Sequence, residues 1–226
     1  MIVAIDGPAG TGKGTISKLV AQRMNFTYID TGAMYRAVTL KMLRNNIEIT
    51  ELDKIKDLLS SISIDFENST DENGNYKQKV FLDGEDVTDE IRMPAVNERV
   101  SPYSNEPIIR THLVTMQKEY ANSKDIIMEG RDITTVVFPN AEVKIYLDAT
   151  PEERANRRYK ELIAKGIETT YEDTLEAINK RDYNDKTTPV GALKVAEDAV
   201  VVDTTYLSIE EVYDTVKKII ESKMDW

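Results

Sequence analysis

A lysine within a glycine-rich loop is the residue of this 226-residue chain that most clearly points to chemistry. The apolar run 2–6 ends in an acid, the loop GPAGTGKGT follows at 7–15, and apolar residues then recur at helical spacing. A strand, such a loop and a helix together form a cradle for phosphate, because glycine lets backbone N–H groups turn inward and the helix adds the positive end of its dipole. Lys13 would reach the β- and γ-phosphates. The predicted phosphate loop comprises Gly7, Pro8, Ala9, Gly10, Thr11, Gly12, Lys13, Gly14 and Thr15.

The phosphate loop departs from the usual pattern at one position. Gly14 stands where Ser or Thr normally follows the lysine, and Thr15 offers a hydroxyl one place later. The alternative interpretation is a tight strand-to-helix turn that is merely rich in glycine. The strand before the loop, the helix after it and the lysine in register favour phosphate binding.

Composition excludes several classes of function. The net charge of −11 disfavours binding to a nucleic-acid backbone, which requires a basic face. The absence of cysteine excludes a disulfide framework and a thiolate nucleophile, and the single histidine, His112, predicts no metal site. No stretch resembles a signal peptide or reaches membrane-spanning length. We therefore expect a cytoplasmic monomer with neither nucleic acid nor membrane as a partner.

The pattern along the chain predicts an α/β fold with an insertion. Five short apolar runs alternate with helical segments, whereas residues 62–90 alternate apolar and polar around the turn signals Asn73-Gly74 and Asp83-Gly84. Such alternation predicts a small antiparallel lobe that interrupts βαβ units. The five predicted core strands are 2–6, 26–30, 125–129, 143–148 and 199–203.

Helix boundaries follow from capping residues and prolines. Thr31 is placed to cap a helix that runs to about Arg44, and residues 101–107 are predicted to be a connector. Pro107 starts a helix whose apolar side would carry Ile108, Leu113, Met116 and Tyr120. Further helices are predicted at 51–60, at 88–100 with a break at Pro94, from the cap Thr150, at 171–184 and from the cap Ser208.

Arginines cluster at positions that packing alone does not require. Arg36 follows the second predicted strand, and Gly130-Arg131-Asp132 follows the third, where parallel sheets bind ligands. Arg154, Arg157 and Arg158 share one helix face, which destabilises the helix unless acids or a ligand offset the charge. Either Glu153 and Glu161 do so, or a polyphosphate docks there, and we favour a mobile helical hairpin at 151–189 that lays cations over a ligand.

Five segments together resemble the bacterial cytidylate kinase family along the whole chain. They are GPAGTGKGT at 7–15, DTGAMYR at 30–36, EGRDITTVVFP at 129–139, ERANRR at 153–158 and RDYND at 181–185. The resemblance implies a P-loop kinase core with a five-stranded parallel sheet flanked by helices, an inserted antiparallel β monophosphate-binding lobe and a helical lid. The expected single domain has a core at 1–35, 105–150 and 190–226, an insertion at about 36–104 and a lid at about 151–189.

The same resemblance implies an activity and the residues that perform it. The family transfers the γ-phosphoryl group of ATP to CMP or dCMP with Mg²⁺, in pyrimidine nucleotide metabolism. The implied catalytic residues are Lys13, Arg131, Arg157 and Arg158. Arg36 and Arg131 would bind the acceptor phosphate, Ser101, Arg110 and Asp132 the cytosine, and Arg181 and Asp185 the sugar, with Thr31 also among the substrate-binding residues.

The chain departs from the family pattern at Thr188, where an arginine commonly lies three residues beyond the lid aspartate. Lys186 would supply a charge instead, without the planar fork of arginine. Glu129 and Asp6, at adjacent strand ends, could orient water on Mg²⁺. A carboxylate such as Asp132 suits the N4 donor of cytosine. The alternatives are a kinase for another acceptor such as UMP or AMP, a nucleotide-binding regulatory switch, and a purely structural module.

Overall fold

The structure, a computed structural model, describes residues 1–72, 74–121 and 125–224. Contacts within the chain define two compact units, one of Met1–Phe26 with Asp125–Trp226 and one of Thr27–Lys124. In chain order the elements are β1 (Ile2–Asp6), α1 (Lys13–Met24), β2 (Thr27–Asp30), α2 (Thr31–Arg44), α3 (Leu52–Leu59), β3 (Ile64–Thr70), β4 (Tyr76–Leu82), β5 (Glu85–Asp86), α4 (Pro94–Ser104), α5 (Pro107–Tyr120), β6 (Ile126–Gly130), β7 (Val143–Asp148), α6 (Pro151–Ala164), α7 (Tyr171–Thr187), β8 (Val200–Asp203) and α8 (Ile209–Glu221). A 3₁₀ turn at Glu90–Arg92 and a π-helical turn at Ile133–Val137 complete the described helices.

A five-stranded sheet has the order β2-β6-β1-β7-β8, which confirms the predicted core. Strand β1 pairs in parallel with β6 and β7, and β7 pairs in parallel with β8. Val3, Ile127 and Ile145 are fully buried, as expected where helices cover both faces of a parallel sheet. Asp6 lies opposite Gly130 and Tyr146, so the carboxyl ends of three strands meet at the edge that carries the phosphate loop.

The second unit contains the predicted antiparallel lobe. Strands β3 and β4 pair from Ile64 opposite Leu82 to Thr70 opposite Tyr76, and β5 extends the sheet to three strands. Asp83 and Gly84 both have positive φ, at 52° and 82°, which is the geometry of the tight hairpin turn that the sequence predicted. Asn73, in the other predicted turn, lies outside the described residues.

Two boundary predictions in the second unit are wrong. Asp30, not Thr31, caps α2, because its Oδ1 accepts the N–H of Ala33 at 2.9 Å while Thr31 is already helical. The predicted connector at 101–107 is also wrong, since α4 continues through Pro102 to Ser104. Pro102 has no N–H to donate to the carbonyl of Glu98, but both residues are exposed, so water can bond that carbonyl instead.

Helices of the first unit follow their capping signals. The hydroxyl of Thr150 accepts the Glu153 N–H at 3.3 Å, and Ser208 forms a reciprocal capping box with Glu211. Helix α7 runs three residues beyond its predicted end, so its charged stretch at 181–186 lies on a regular helix. Within the described ranges, no helix is both long enough and apolar enough to cross a bilayer.

Candidate active site

The phosphate loop adopts a conformation that requires glycine at defined places. Gly10 and Gly12 have φ of 82° and 89°, and Gly12 precedes the first residue of α1 without a side-chain cap. A Cβ on Gly7 would lie 2.0 Å from the carbonyl oxygen of Leu147, and one on Gly10 would lie 3.0 Å from the Cβ of Arg154. The loop is therefore packed directly on the end of β7 and the start of α6, and it leads into the N-terminus of α1, where helical N–H groups suit an anion.

Lys13 is buried at the start of α1 and bonds within its own loop. Its Nζ donates to the carbonyl oxygen of Pro8 at 2.8 Å, and the residue is only 5 % exposed. Burial, followed by the positive charges of Arg131 and Arg181, lowers the pKa of Lys13 to about 7, against the opposing charge of Glu129. Cations from the residue after β6 and from α7 thus act on Lys13 in the phosphate loop, as expected of a site for a polyanion.

Asp6 has a structural part in the site. Its Oδ1 accepts the Ile133 N–H at 2.9 Å, and its Oδ2 accepts the N–H and the hydroxyl of Thr134 at 2.7 and 2.6 Å. Burial raises the pKa of Asp6 despite these bonds. The expectation that Asp6 orients water on Mg²⁺ is wrong, because the carboxylate is fully buried and holds the π-helical turn that follows Asp132.

Arg131 and Asp185 come together from distant parts of the chain. The Nε of Arg131 lies 2.7 Å from Oδ2 of Asp185, and the Nε of Arg181 lies 4.0 Å from the same oxygen. Asp132, next to Arg131, is buried. Three of the predicted substrate-binding side chains therefore form one charged cluster at the end of β6.

Arg154 does not share a ligand-facing row with Arg157 and Arg158, so that expectation is wrong. Its Nε donates to Ala149 O at 2.9 Å, and its Nη1 donates to Ala9 O at 3.2 Å. Both terminal nitrogens bind the carboxylate of Asp182, at 2.9 and 2.5 Å. Helical spacing places the three Cα atoms on one face, but the long side chain of Arg154 turns inward towards Asp182.

The other two lid arginines are paired with acids of their own helix. Arg157 binds Glu153 at 2.8 Å and also donates to the hydroxyl and the carbonyl of Thr204, at 3.1 and 2.5 Å. Arg158 binds Glu161 at 2.8 Å and is 47 % exposed. The acids thus offset the like charges, which was the alternative interpretation. Thr204, just beyond β8, was not singled out from the sequence, because a threonine after a strand carries no chemical signal.

Arg36 in the second unit turns back towards the start of α2. Its Nε donates to Oδ1 of Asn97 at 3.3 Å, and a Cβ on Gly32 would lie 3.1 Å from its Nη1. Oδ2 of Asp30 accepts a bond from Arg92 at 3.3 Å. Asn97 and Arg92 were not predicted from the sequence, since neither belongs to a motif.

The remaining acceptor candidates also lie in the second unit. Arg110 is buried, donates to Ser104 O at 3.3 Å and places its guanidinium carbon 5.6 Å from the ring centroid of Tyr35. Thr31 is buried at the first turn of α2, whereas Ser101 is exposed on α4. The burial of Arg110 holds its charge in a fixed direction, as recognition of a base edge would require.

Comparison with known proteins identifies the family of the chain. The cytidylate kinase family profile matches residues 3–222. A cytidylate kinase of Fusobacterium nucleatum is 48 % identical over 221 residues, which cover 98 % of this chain and 97 % of that protein. A cytidylate kinase of Caldicellulosiruptor bescii is 52 % identical over 217 residues, with 96 % and 94 % covered.

Two solved structures share the fold at low sequence identity. An uncharacterized protein from Eubacterium ventriosum gives a TM-score of 0.53 at 12 % identity and covers 98 % of this chain and 99 % of its own. TT1252 from Thermus thermophilus gives 0.50 at 14 % identity and covers 100 % and 98 %. These two likenesses concern the fold alone, whereas the sequence matches show the family. The chain belongs to the cytidylate kinase family.

Proposed function

We propose that the phosphate loop binds ATP and that the charged cluster of Arg131, Arg181 and Asp185 binds the acceptor nucleotide. As a member of the cytidylate kinase family, the chain is an ATP-dependent phosphotransferase that converts CMP and ATP to CDP and ADP. We extend the acceptor range to dCMP. The observation that carries the assignment is Lys13, which is buried in a glycine-rich loop at the start of α1 and bonded to the Pro8 carbonyl, with the positive charges of Arg131 and Arg181 acting on it.

Phosphoryl transfer suits a site built of cations. Little covalent work is required, so positioning and neutralisation of charge dominate catalysis. Lys13 would follow the transferred phosphoryl group, and Arg131, Arg157 and Arg158 would neutralise the charge that develops on its oxygens. Arg157 and Arg158 would exchange their acidic partners on α6 for phosphate oxygens. The acceptor phosphate is already an anion at neutral pH, so no strong general base is needed.

A magnesium ion would bind beside the phosphate loop with few ligands from the protein. No three His, Cys, Asp or Glu side chains gather into a metal-binding group in residues 1–72, 74–121 and 125–224. Magnesium typically keeps several waters and takes its other ligands from phosphates and one or two carboxylates, so it needs no such group. Glu129, whose charge acts on Lys13, would hold it through water. When bound, the ion supplies positive charge to the phosphate oxygens.

The acceptor nucleotide would be recognised through its phosphate, its sugar and its base. Arg36 and Arg131 would bind its phosphate, and Arg181 and Asp185 its sugar, with Thr31 contributing at the start of α2. Ser101, Arg110 and Asp132 would face the cytosine, whose N4 amino group donates to a carboxylate and whose N3 and O2 accept from a guanidinium. Thr188 cannot supply the charge found there in the family, so Lys186 would do so with a less specific contact.

The proposed setting is pyrimidine nucleotide metabolism in the cytoplasm, with the chain acting as a monomer on nucleotides alone. The expected absence of nucleic-acid partners rests on the net charge of −11.

An acceptor panel tests the proposed function. ADP release from ATP and Mg²⁺ is measured in a coupled assay with CMP, dCMP, UMP or AMP, and CMP should give the highest kcat/KM. ADP release that is independent of the acceptor would favour a regulatory switch.

Lys13→Ala should lower kcat greatly and the melting temperature little, whereas Lys18→Ala on the same helix should leave both unchanged. Equal losses in activity and melting temperature for Lys13→Ala would contradict its catalytic role.

Base recognition has its own test. Asp132→Asn adds a donor where only an acceptor suits the N4 amino group, so the ratio of kcat/KM for CMP over UMP should fall. An unchanged ratio would place recognition of the base elsewhere.

A further inference from the structure

We propose that the buried pair of Arg154 and Asp182 positions helix α7 on the phosphate loop and thereby sets the affinity for the acceptor nucleotide. Both are positioning residues, since only 3 % of the Arg154 side chain and 12 % of the Asp182 side chain are exposed. The inference deepens the proposed function and rests on it.

The guanidinium of Arg154 is bonded on three sides. Nε binds Ala149 O, Nη1 binds Ala9 O in the phosphate loop, and both terminal nitrogens bind Asp182. A planar fork with partners in these directions cannot rotate without breaking several bonds. Arg154 therefore fixes the position of Asp182 relative to Ala9. Arg154 and Asp182 are 28 residues apart in the chain.

Asp182 is a neighbour of two proposed acceptor ligands on α7. Arg181 directly precedes it in the chain. Asp185 lies three residues later, so it neighbours Asp182 on the helix surface. Asp185 is itself bound to Arg131 at 2.7 Å. Helix α7 is thus held at two points about one turn apart, and together these bonds determine its rotation and its height. A shift at Asp182 would displace Arg181 and Asp185, while the contact of Arg154 with Ala9 stays in place.

This arrangement predicts that changes at Asp182 affect the KM for CMP but not the KM for ATP. Asp182→Glu keeps the ion pair but lengthens it by one methylene, and Asp182→Asn removes the charge. Either change should raise the KM for CMP by about tenfold and leave the KM for ATP within about twofold, since small misplacements of binding groups carry large kinetic penalties. Arg154→Ala also removes the bond to Ala9, so it should raise both constants.

A matched control is available on the same unit. Arg23 binds Glu210 through the same two-pronged geometry, at 2.6 and 2.8 Å. It lies ten residues along α1 from Lys13, about 15 Å by helical rise. Glu210→Gln should leave both Michaelis constants unchanged.

Steady-state kinetics and melting curves of the full chain decide the inference. A raised KM for CMP with an unchanged KM for ATP in Asp182→Glu supports it. An unchanged KM for CMP, or a fall in kcat alone that follows the melting temperature, would overturn it, because a merely structural role lowers the fraction of active enzyme without moving either KM. If Asp182→Asn does not fold, Asp182→Glu decides alone. Wild-type protein that shows no CMP-dependent ADP release would instead overturn the proposed function.

Discussion

Binding of ATP should be accompanied by proton uptake at Lys13. Burial and the neighbouring arginines lower the pKa of this amine to about 7, so it is about nine-tenths neutral at pH 8 and about one-tenth neutral at pH 6. Phosphate oxygens beside the amine favour its charged form and should return its pKa towards the ordinary value of 10.5. The expected uptake by Lys13 is therefore about 0.9 proton per ATP at pH 8, about 0.5 at pH 7 and about 0.1 at pH 6.

The sign of the pH dependence follows from which form binds. Only the charged amine attracts phosphate, and its fraction falls as pH rises through the lowered pKa. The contribution of Lys13 should make ATP binding about tenfold weaker at pH 8 than at pH 6. Isothermal titration calorimetry at each pH, in two buffers that both hold that pH but differ in enthalpy of ionisation, measures both the affinity and the number of protons taken up.

Lys13→Arg is the matched control for proton uptake, because a guanidinium stays charged at every pH in this range. Protonation of ATP itself is common to both proteins and cancels in the difference between them. A difference in uptake that grows from pH 6 to pH 8 is expected. The same uptake in both proteins at pH 8 would show that the Lys13 amine is charged before ATP binds and would refute the reasoning.

Two further predictions concern stability. Gly7→Ala should destabilise the fold severely, since its Cβ would lie 2.0 Å from Leu147 O. At Gly12 a Cβ would meet open space, so Gly12→Ala should cost only the strain of a positive φ, about 1–2 kcal/mol. Equal melting temperatures for the two variants would contradict this prediction. Thr134→Val removes the hydroxyl bond to the buried Asp6 and should lower the free energy of unfolding in urea by about 1–3 kcal/mol, and an unchanged value would show that the bond adds nothing.

Features whose chemistry is local could be predicted from the sequence. The phosphate loop, the strand ends and the caps Thr150 and Ser208 each depend on residues within a few positions of one another. The cap of α2 was misplaced by one residue because Asp30 and Thr31 are both good caps, and only the backbone angles decide between them. Such errors do not alter the topology, since the order of apolar runs remains the same.

Features that depend on distant partners could not be predicted. Helical spacing places Arg154 on a face, but the direction of its side chain depends on Asp182 in another helix. The π-helical turn after Asp132 depends on the carboxylate of Asp6, 127 residues away from Ile133. No pattern in the sequence indicates either the pairing of Arg154 with Asp182 or that of Asp6 with the π-helical turn.

The apolar side of α5 was only partly predicted. Of the four residues expected there, only Leu113 is among the described buried residues of α5, and the others are Ile109, Arg110 and Gln117. A hydrophobic pattern cannot reveal a polar side chain that the fold encloses. The acceptor candidate Arg110 was found through the family resemblance instead.

The bond from Lys13 to the Pro8 carbonyl bears on the speed of nucleotide capture. A contact that closes the loop on itself removes backbone freedom during folding, so this entropy is not lost again when a nucleotide arrives. The amine then has only to exchange one oxygen acceptor for another, a side-chain motion of picoseconds to nanoseconds in exposed groups and slower in buried ones. Association should accordingly be limited by encounter and orientation, and not by rearrangement of the loop.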